Sequence, residues 1–278
     1  MPDTQNPIPD TYAMIKLERI HKYFHRGEGN EVHALRGVDL AIGAGEFVTV
    51  IGSNGAGKST LLNCIAGVYP IDEGRMLLGE RDATGLDAAQ RAAWIGRVFQ
   101  NPLDGTAANL SIEQNLALAL LRGRTKGLRA GVNGQRREQF RAALSQLGLG
   151  LEDRMSSHVR TLSGGQRQAL TLLMATLVPP QVLLLDEHTA ALDPAAAALV
   201  ADLTARLVAE RNLTALMVTH NMQQALSYGT RTLMMHQGQI ILDISGAERA
   251  SLTVADLVQR FTTSRKDAIV DDELLLSE

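Results

Sequence analysis

The chain has 278 residues, 45% of them hydrophobic and 21% charged, which suits one large α/β domain, alone or with a smaller inserted subdomain, and excludes global disorder. Its net charge of -3 gives no basic footprint for nucleic acid, and the single cysteine, Cys64, rules out an intrachain disulfide. No apolar run approaches the roughly 18 residues of a membrane-spanning helix. The polar start, with Pro2, Pro7 and Pro9, lacks the regions of a signal peptide, so a cytosolic protein is expected.

In chain order, residues 1–13 read as a flexible leader. Short extended stretches follow from Ile15 to Ala41, and Gly43 and Gly45 mark a turn. The run Phe47-Val48-Thr49-Val50-Ile51 is β-branched, apolar and of strand length. A glycine-rich loop leads from it into a helical pattern from Lys58 to about Ala66. The stretch from about 104 to 178 reads as mostly helical. Ser111 with Gln114 three residues later is a capping-box signal opening the run Asn115 to Leu121. Gly123, Gly127, Gly131 and Gly134 mark a loop, and a second helix is expected from about Gln135 to Leu147.

The apolar run Val182 to Leu185 suits a strand covered on both faces. Pro194 to Glu210 reads as a helix, and Ala215 to Thr219 as another buried strand. A hairpin is expected around Gln237-Gly238, from Thr232 to Met235 and from Gln239 to Asp243. Val254, Leu257, Val258 and Phe261 fall on one face of a last helix, ahead of an acidic tail at Asp271-Asp272-Glu273.

Three strings carry chemistry. Gly52-Ser53-Asn54-Gly55-Ala56-Gly57-Lys58-Ser59, followed by Thr60, matches G-x-x-x-x-G-K-[ST] between a strand and a helix. Glycines let successive backbone N–H groups turn toward phosphate oxygens, and the helix adds its positive dipole end. Lys58 is expected on the β and γ phosphates, and the Ser59 hydroxyl on Mg²⁺. Asp186-Glu187 ends a buried strand, the place where carboxylates meet phosphates in an α/β sheet. Asp186 is expected to hold Mg²⁺ through its water shell, and Glu187 to polarise the attacking water. In Leu162-Ser163-Gly164-Gly165-Gln166-Arg167-Gln168, Ser163 can cap a helix beginning around Gly165, and the glycines leave backbone N–H groups bare as a second anion site.

This last string resembles the signature motif of the ABC ATPases, and the resemblance extends over about residues 15–245. It implies a P-loop NTPase (RecA-like) core with an antiparallel β subdomain and an inserted α-helical subdomain. The nucleotide-binding domain would run from 14 to 246, with the helical subdomain at about 104–178 and a C-terminal helix and tail at 247–278. ATP and Mg²⁺ are the implied ligands. Gln100, in Val98-Phe99-Gln100-Asn101, resembles the glutamine that senses Mg²⁺ and the attacking water. Asp193, in Ala191-Leu192-Asp193, resembles the dimer-seam aspartate, and His220 the switch histidine that contacts the γ-phosphate. Phe24 resembles the aromatic that stacks on adenine, with Tyr23 as a neighbouring candidate. One position departs from the pattern: His188 stands where many members have proline after the catalytic glutamate, and reads as a tolerated loop variant or a second polar contact near the phosphate.

In the family the signature of one subunit closes over the ATP held by another. The resemblance therefore implies a homodimer, or a pair with a second nucleotide-binding subunit, peripheral on the cytoplasmic side of the cell membrane. Integral permease subunits and an extracytoplasmic solute-binding protein are the implied partners, with no nucleic acid. The string from Asp186 to Asp193, with Met217 to Met222 and the tail Gly238 to Asp243, looks like a subgroup of importer ATPases whose partners resemble permeases for amino acids or other small hydrophilic solutes, and the resemblance suggests hydrophobic or aromatic amino acids. The segment Gly37 to Gly67 also looks like ATPases of lipoprotein release or macrolide export. A soluble ATPase of iron–sulfur assembly has a comparable size.

Overall fold

The computed structural model describes residues 13–123 and 132–263. Residues 1–12, the expected loop glycines Gly127 and Gly131, and the acidic tail lie outside the described residues. By contact density the described residues fall into two compact units: those up to Ala88 together with those from Leu216 onward, and those between Ala89 and Ala215.

The first unit begins with β1 (Ala13–Phe24) and β2 (Val32–Gly43), paired antiparallel with several bulges. Burial along β1 largely alternates, as a sheet with one covered face requires. β3 (Phe47–Gly52) follows, buried from Phe47 through Ile51, and opens into α1 (Lys58–Ala66). β4 (Glu73–Leu78) then pairs antiparallel with β1, and β5 (Arg81–Asp82) pairs with β4. A single helical turn, α2 (Ala88–Arg91), lies at the boundary.

The second unit holds β6 (Ile95–Val98), α3 (Ile112–Ala119), α4 (Gly134–Ser145), α5 (Gly164–Leu177), β7 (Val182–Asp186) and α6 (Pro194–Glu210). β6 and β7 run parallel, in register from Ile95 opposite Val182 to Val98 opposite Leu185. The capping box at Ser111 forms in both directions: the Gln114 N–H donates to Ser111 Oγ at 3.2 Å, and the Ser111 N–H donates to Gln114 Oε1 at 2.8 Å. With Ser111 as cap, α3 starts at Ile112, three residues ahead of the expected start at Asn115. α6 keeps its expected bounds because Asp193 caps it and Pro194 takes its first position.

β8 (Thr214–Val218), buried throughout, carries the chain back into the first unit. There follow α7 (Met222–Ser227), β9 (Arg231–His236), β10 (Gln239–Ser245), α8 (Gly246–Ala250) and a last helix, α9 (254–263). β9 pairs parallel with β3 and antiparallel with β10. Gln237 and Gly238 have φ of 45° and 83°, the left-handed pair that a two-residue hairpin turn requires. Leu257 joins a buried cluster with Ile51, Ala225, Met234 and Ile244, and Phe261 packs on its margin. Val258 differs from the expectation that it shares this face: it is 44% exposed, because it lies one residue, or 100° of helix, past Leu257.

Arg249 of α8 gathers several chain ends. Its guanidinium donates to the carbonyls of Ala225, Leu226 and Tyr228 and to the Thr232 hydroxyl at 2.6 to 3.2 Å. A cation there complements the negative end of α7 and supplies donors that its last carbonyls need.

Candidate nucleotide site

In the first unit the loop between β3 and α1 is shaped by two glycines. Gly52 has φ 154°, and a Cβ there would lie 2.3 Å from the Met235 carbonyl oxygen. Gly57 caps α1 with φ 98°, and a Cβ there would lie 2.7 Å from the Ala34 carbonyl oxygen. Only glycine tolerates both the torsion and the approach. The loop is tied to the hairpin by the Gly238 N–H, which donates to the Ala56 carbonyl at 3.0 Å. Lys58 is buried, and its ammonium turns back to donate to the Gly52 and Ser53 carbonyls at 2.9 and 3.0 Å. Ser53, Asn54, Gly55 and Ser59 are exposed, and Thr60 is half-buried. The loop thus presents backbone, an ammonium and the Ser59 hydroxyl at the start of a helix, an arrangement that binds anions.

His220 belongs to the same unit. Thr219, just past β8, donates its N–H to the Val50 carbonyl of β3 at 3.1 Å. The Asn221 N–H donates to Thr219 Oγ1 at 3.0 Å, and the Asn221 side chain caps α7 by accepting from the Gln224 N–H. These bonds fix the turn that leaves His220 exposed next to the strand feeding the phosphate loop. Phe24, at the end of β1, is half-buried and meets Tyr69 edge to face at 5.3 Å. Tyr23 is already stacked, on His33 at 4.1 Å and under the Arg26 guanidinium at 4.3 Å.

In the second unit Gln100 and Glu187 each stand two residues past Val98 and Leu185, the last facing pair of β6 and β7. Asp186 is mostly buried, Glu187 is half-buried and Gln100 is exposed. Glu187 has φ 42°, a left-handed torsion that a non-glycine residue adopts at a cost of about 1 kcal/mol. The Ala190 N–H donates to the Glu187 carbonyl at 2.9 Å and closes the turn that holds it. The Asp186 carboxylate and the Gln100 amide oxygen are hard oxygen donors, the kind Mg²⁺ takes while keeping several waters. Among the described residues no group of three or more His, Cys, Asp or Glu forms a metal cluster.

Ser163 caps α5 in a complete box with Gln166, both bonds at 3.2 Å. Gly164 and Gly165 bring this helix start onto the Asp193 turn. A Cβ on Gly164 would lie 3.3 Å from the Leu192 side chain, and one on Gly165 would lie 2.8 Å from Ala196 Cβ in the first turn of α6. Ser163 and Asp193, 30 residues apart in number, are therefore exposed caps of two touching helices.

Three contacts of this unit were not foreseen. His188 is 2% exposed, and its Nε2 lies 3.0 Å from Thr204 Oγ1 on α6. The Thr204 hydroxyl donates to the Val200 carbonyl at 2.7 Å, so it accepts from His188, which is the neutral Nε2–H form. Burial pushes the His188 pKa down to about 4. That makes the ring a poor base, and it serves as an anchor between the Glu187 turn and α6. Gln168 of α5 is buried and donates to the Phe99 carbonyl at 3.0 Å, tying the signature helix to the chain at Gln100. Arg97 of β6 donates to Asp186 at 3.2 Å. The one signal for it in the sequence is a lone cation within the short strand Ile95-Gly96-Arg97-Val98.

A strand–phosphate loop–helix and an acidic strand end define a nucleoside-triphosphate-binding protein of the P-loop class. Solved structures share the fold: an ATP-binding cassette in a dimeric post-hydrolysis state with ADP and Pi has a TM-score of 0.72 at 29% identity, over 84% of this chain and 98% of that one. The ADP conformation of another cassette of an ABC transporter gives 0.73 at 26% identity, over 91% and 99%. The family model for the ABC transporter matches residues 35–190. A tyrosine transport ATP-binding protein of Clostridioides difficile is 40% identical over 248 residues, 89% of this chain and 98% of its own length. A methionine import ATP-binding protein of Bacillus licheniformis is 32% identical over 266 residues, 94% and 76% respectively. The chain belongs to the ABC transporter family, as an ATP-binding and ATP-hydrolysing subunit.

Proposed function

We propose that this chain powers the import of a small solute, an amino acid of the apolar or aromatic kind, through separate membrane subunits. The observation that carries the reading is the full-length likeness to a tyrosine transport subunit, supported by the methionine import relatives. Among the described residues no helix is long and apolar enough to cross a membrane. On the likeness to import subunits, the reading includes permease partners, an extracytoplasmic binding protein and a peripheral place on the cytoplasmic face.

The resemblance to the family supplies the residue roles in this reading. The loop from Gly52 to Thr60 takes the phosphates on its N–H groups, and Lys58 leaves its carbonyl partners for the β and γ oxygens. Phe24 stacks on the adenine. Ser59, Gln100 and Asp186 are the metal-side groups, and Mg²⁺, when bound, supplies charge neutralisation at the β and γ phosphates. Glu187 orients the attacking water and accepts its proton, while His220 contacts the γ-phosphate. The caps at Ser163 and Asp193, with Gly164, Gly165 and Gln166, meet the nucleotide held by the second copy in a closed pair.

The test is transport itself. The chain, its co-purified membrane subunits and the binding protein are reconstituted in vesicles. Uptake of labelled tyrosine or methionine that requires ATP and binding protein is the expected result. Outward extrusion without a binding protein would replace import by export, and co-purification with a soluble scaffold alone would remove transport.

A further inference from the structure

Arg97 stands in β6 between Gly96 and Val98, both buried. A cation in such a strand needs a counter-charge, and Arg97 finds the carboxylate of Asp186. Nη2 lies 3.2 Å from Oδ2, and the two side chains are only 15% and 13% exposed. The guanidinium carbon lies 4.6 Å from the centre of the Phe99 ring, and Nε is buried with no hydrogen-bond partner. The cation is thus held between an aromatic face and one carboxylate, in a place where solvent screens little.

We propose that Arg97 competes with magnesium for Asp186 and so sets the metal concentration at which nucleotide binds. The inference rests on the reading of Asp186 as the metal-side carboxylate. An aspartate has room for more than one donor, so both partners can be accommodated in number. Their charges are alike, however, and each lowers the hold of the carboxylate on the other. Arginine cannot relieve the conflict by losing its proton, as lysine or histidine can. It stays charged, and either weakens the metal site or swings away from Asp186. Phe99 precedes Gln100, and its carbonyl is bonded to Gln168 of α5, so movement of Arg97 reaches both the expected metal-sensing glutamine and the signature helix.

The experiment measures ADP affinity of the full chain by calorimetry across a magnesium titration, so hydrolysis plays no part. Arg97→Met keeps the apolar stem and removes the charge. It should lower the magnesium concentration for half-maximal ADP binding about ten-fold, the scale of one charge-assisted hydrogen bond. ADP binding in EDTA should stay within two-fold of wild type. Arg97→Lys, which keeps the charge on a smaller donor set, should shift the midpoint less. If Arg97→Met proves unstable, Arg97→Gln reads the same shift with a polar side chain in place. Asp186→Asn is the control, in which magnesium should cease to strengthen ADP binding. An unchanged midpoint in the Arg97 variants, with the Asp186→Asn effect intact, overturns the role of Arg97 alone. Retained magnesium dependence in Asp186→Asn overturns the metal reading of Asp186 and the competition with it.

Discussion

Lys58 and Glu187 make opposite demands on a mutagenesis experiment. Lys58 is buried with its ammonium on two loop carbonyls, so the charge is preset in the loop before any phosphate arrives. Lys58→Ala should cost nucleotide affinity itself, by ten-fold or more, measured by equilibrium binding of ADP or ATP. Glu187→Gln keeps the side-chain shape and the left-handed turn but removes the proton acceptor. Turnover should fall by about 10²–10⁴-fold while ATP affinity holds or rises, in single-turnover hydrolysis beside binding. Hydrolysis within a few-fold of wild type would take the base role from Glu187. His188 would not inherit it, since its ring is committed to Thr204. The motif strings are legible in the sequence because each has a fixed spacing, and the residues named from them are candidates on that ground. Their partners could not be located. Arg97 and Asp186 are 89 positions apart, and nothing local announces that a strand cation meets that carboxylate.

Among the elements, α1 and α6 were legible because their starts are chemically marked, by Gly57 before one and by Asp193-Pro194 before the other. β7 and β8 were legible as unbroken apolar runs. β4, β6 and α7 were not, being only six, four and six residues long with mixed polarity. His188 links two elements, the turn after β7 and the middle of α6, and its burial gives stability a pH dependence. The unfolded ring takes a proton near 6.5 and the native one only near 4. The native state is therefore favoured fully above 6.5 and loses that advantage as pH falls toward 4. At about 1.4 kcal/mol per pH unit the loss is roughly 3 kcal/mol. His188→Gln, whose amide nitrogen can still donate to Thr204, should flatten the decline between these limits and keep neutral-pH stability within about 1 kcal/mol. Denaturant melts of both proteins from pH 7.5 to 4.5 measure it, and parallel curves would contradict the buried neutral ring.

For the whole molecule, the division at Ala89 and Ala215 was not legible, because it falls within α2 and within β8 rather than in a glycine-rich linker. The expected helical insertion of about 104–178 lies inside the second unit, which runs beyond it at both ends. Arg249 matters at this scale, since one guanidinium joins α8 to α7 and β9. Arg249→Met should lower unfolding free energy by about 2–3 kcal/mol, the worth of charged hydrogen bonds whose carbonyl partners are left unmet. Chemical denaturation with an unchanged m-value is the check. Assembly is tested with Glu187→Gln, which should pair in ATP and separate in ADP, as read by light scattering in the presence of its membrane subunits.

The exposed cap at Ser163 and the loop at Lys58 have a consequence for genetics. If each reaction centre takes its loop from one copy and its cap from the other, two dead alleles can rescue each other. A chain with Lys58→Ala and a chain with Ser163→Glu, each inert alone, would form mixed pairs on co-expression. One centre of a mixed pair carries both lesions, and the other carries neither. Random pairing of equal amounts leaves about a quarter of all centres intact. Growth or turnover restored by the mixture would show that loop and cap come from different copies, since centres built within one copy would each keep a lesion.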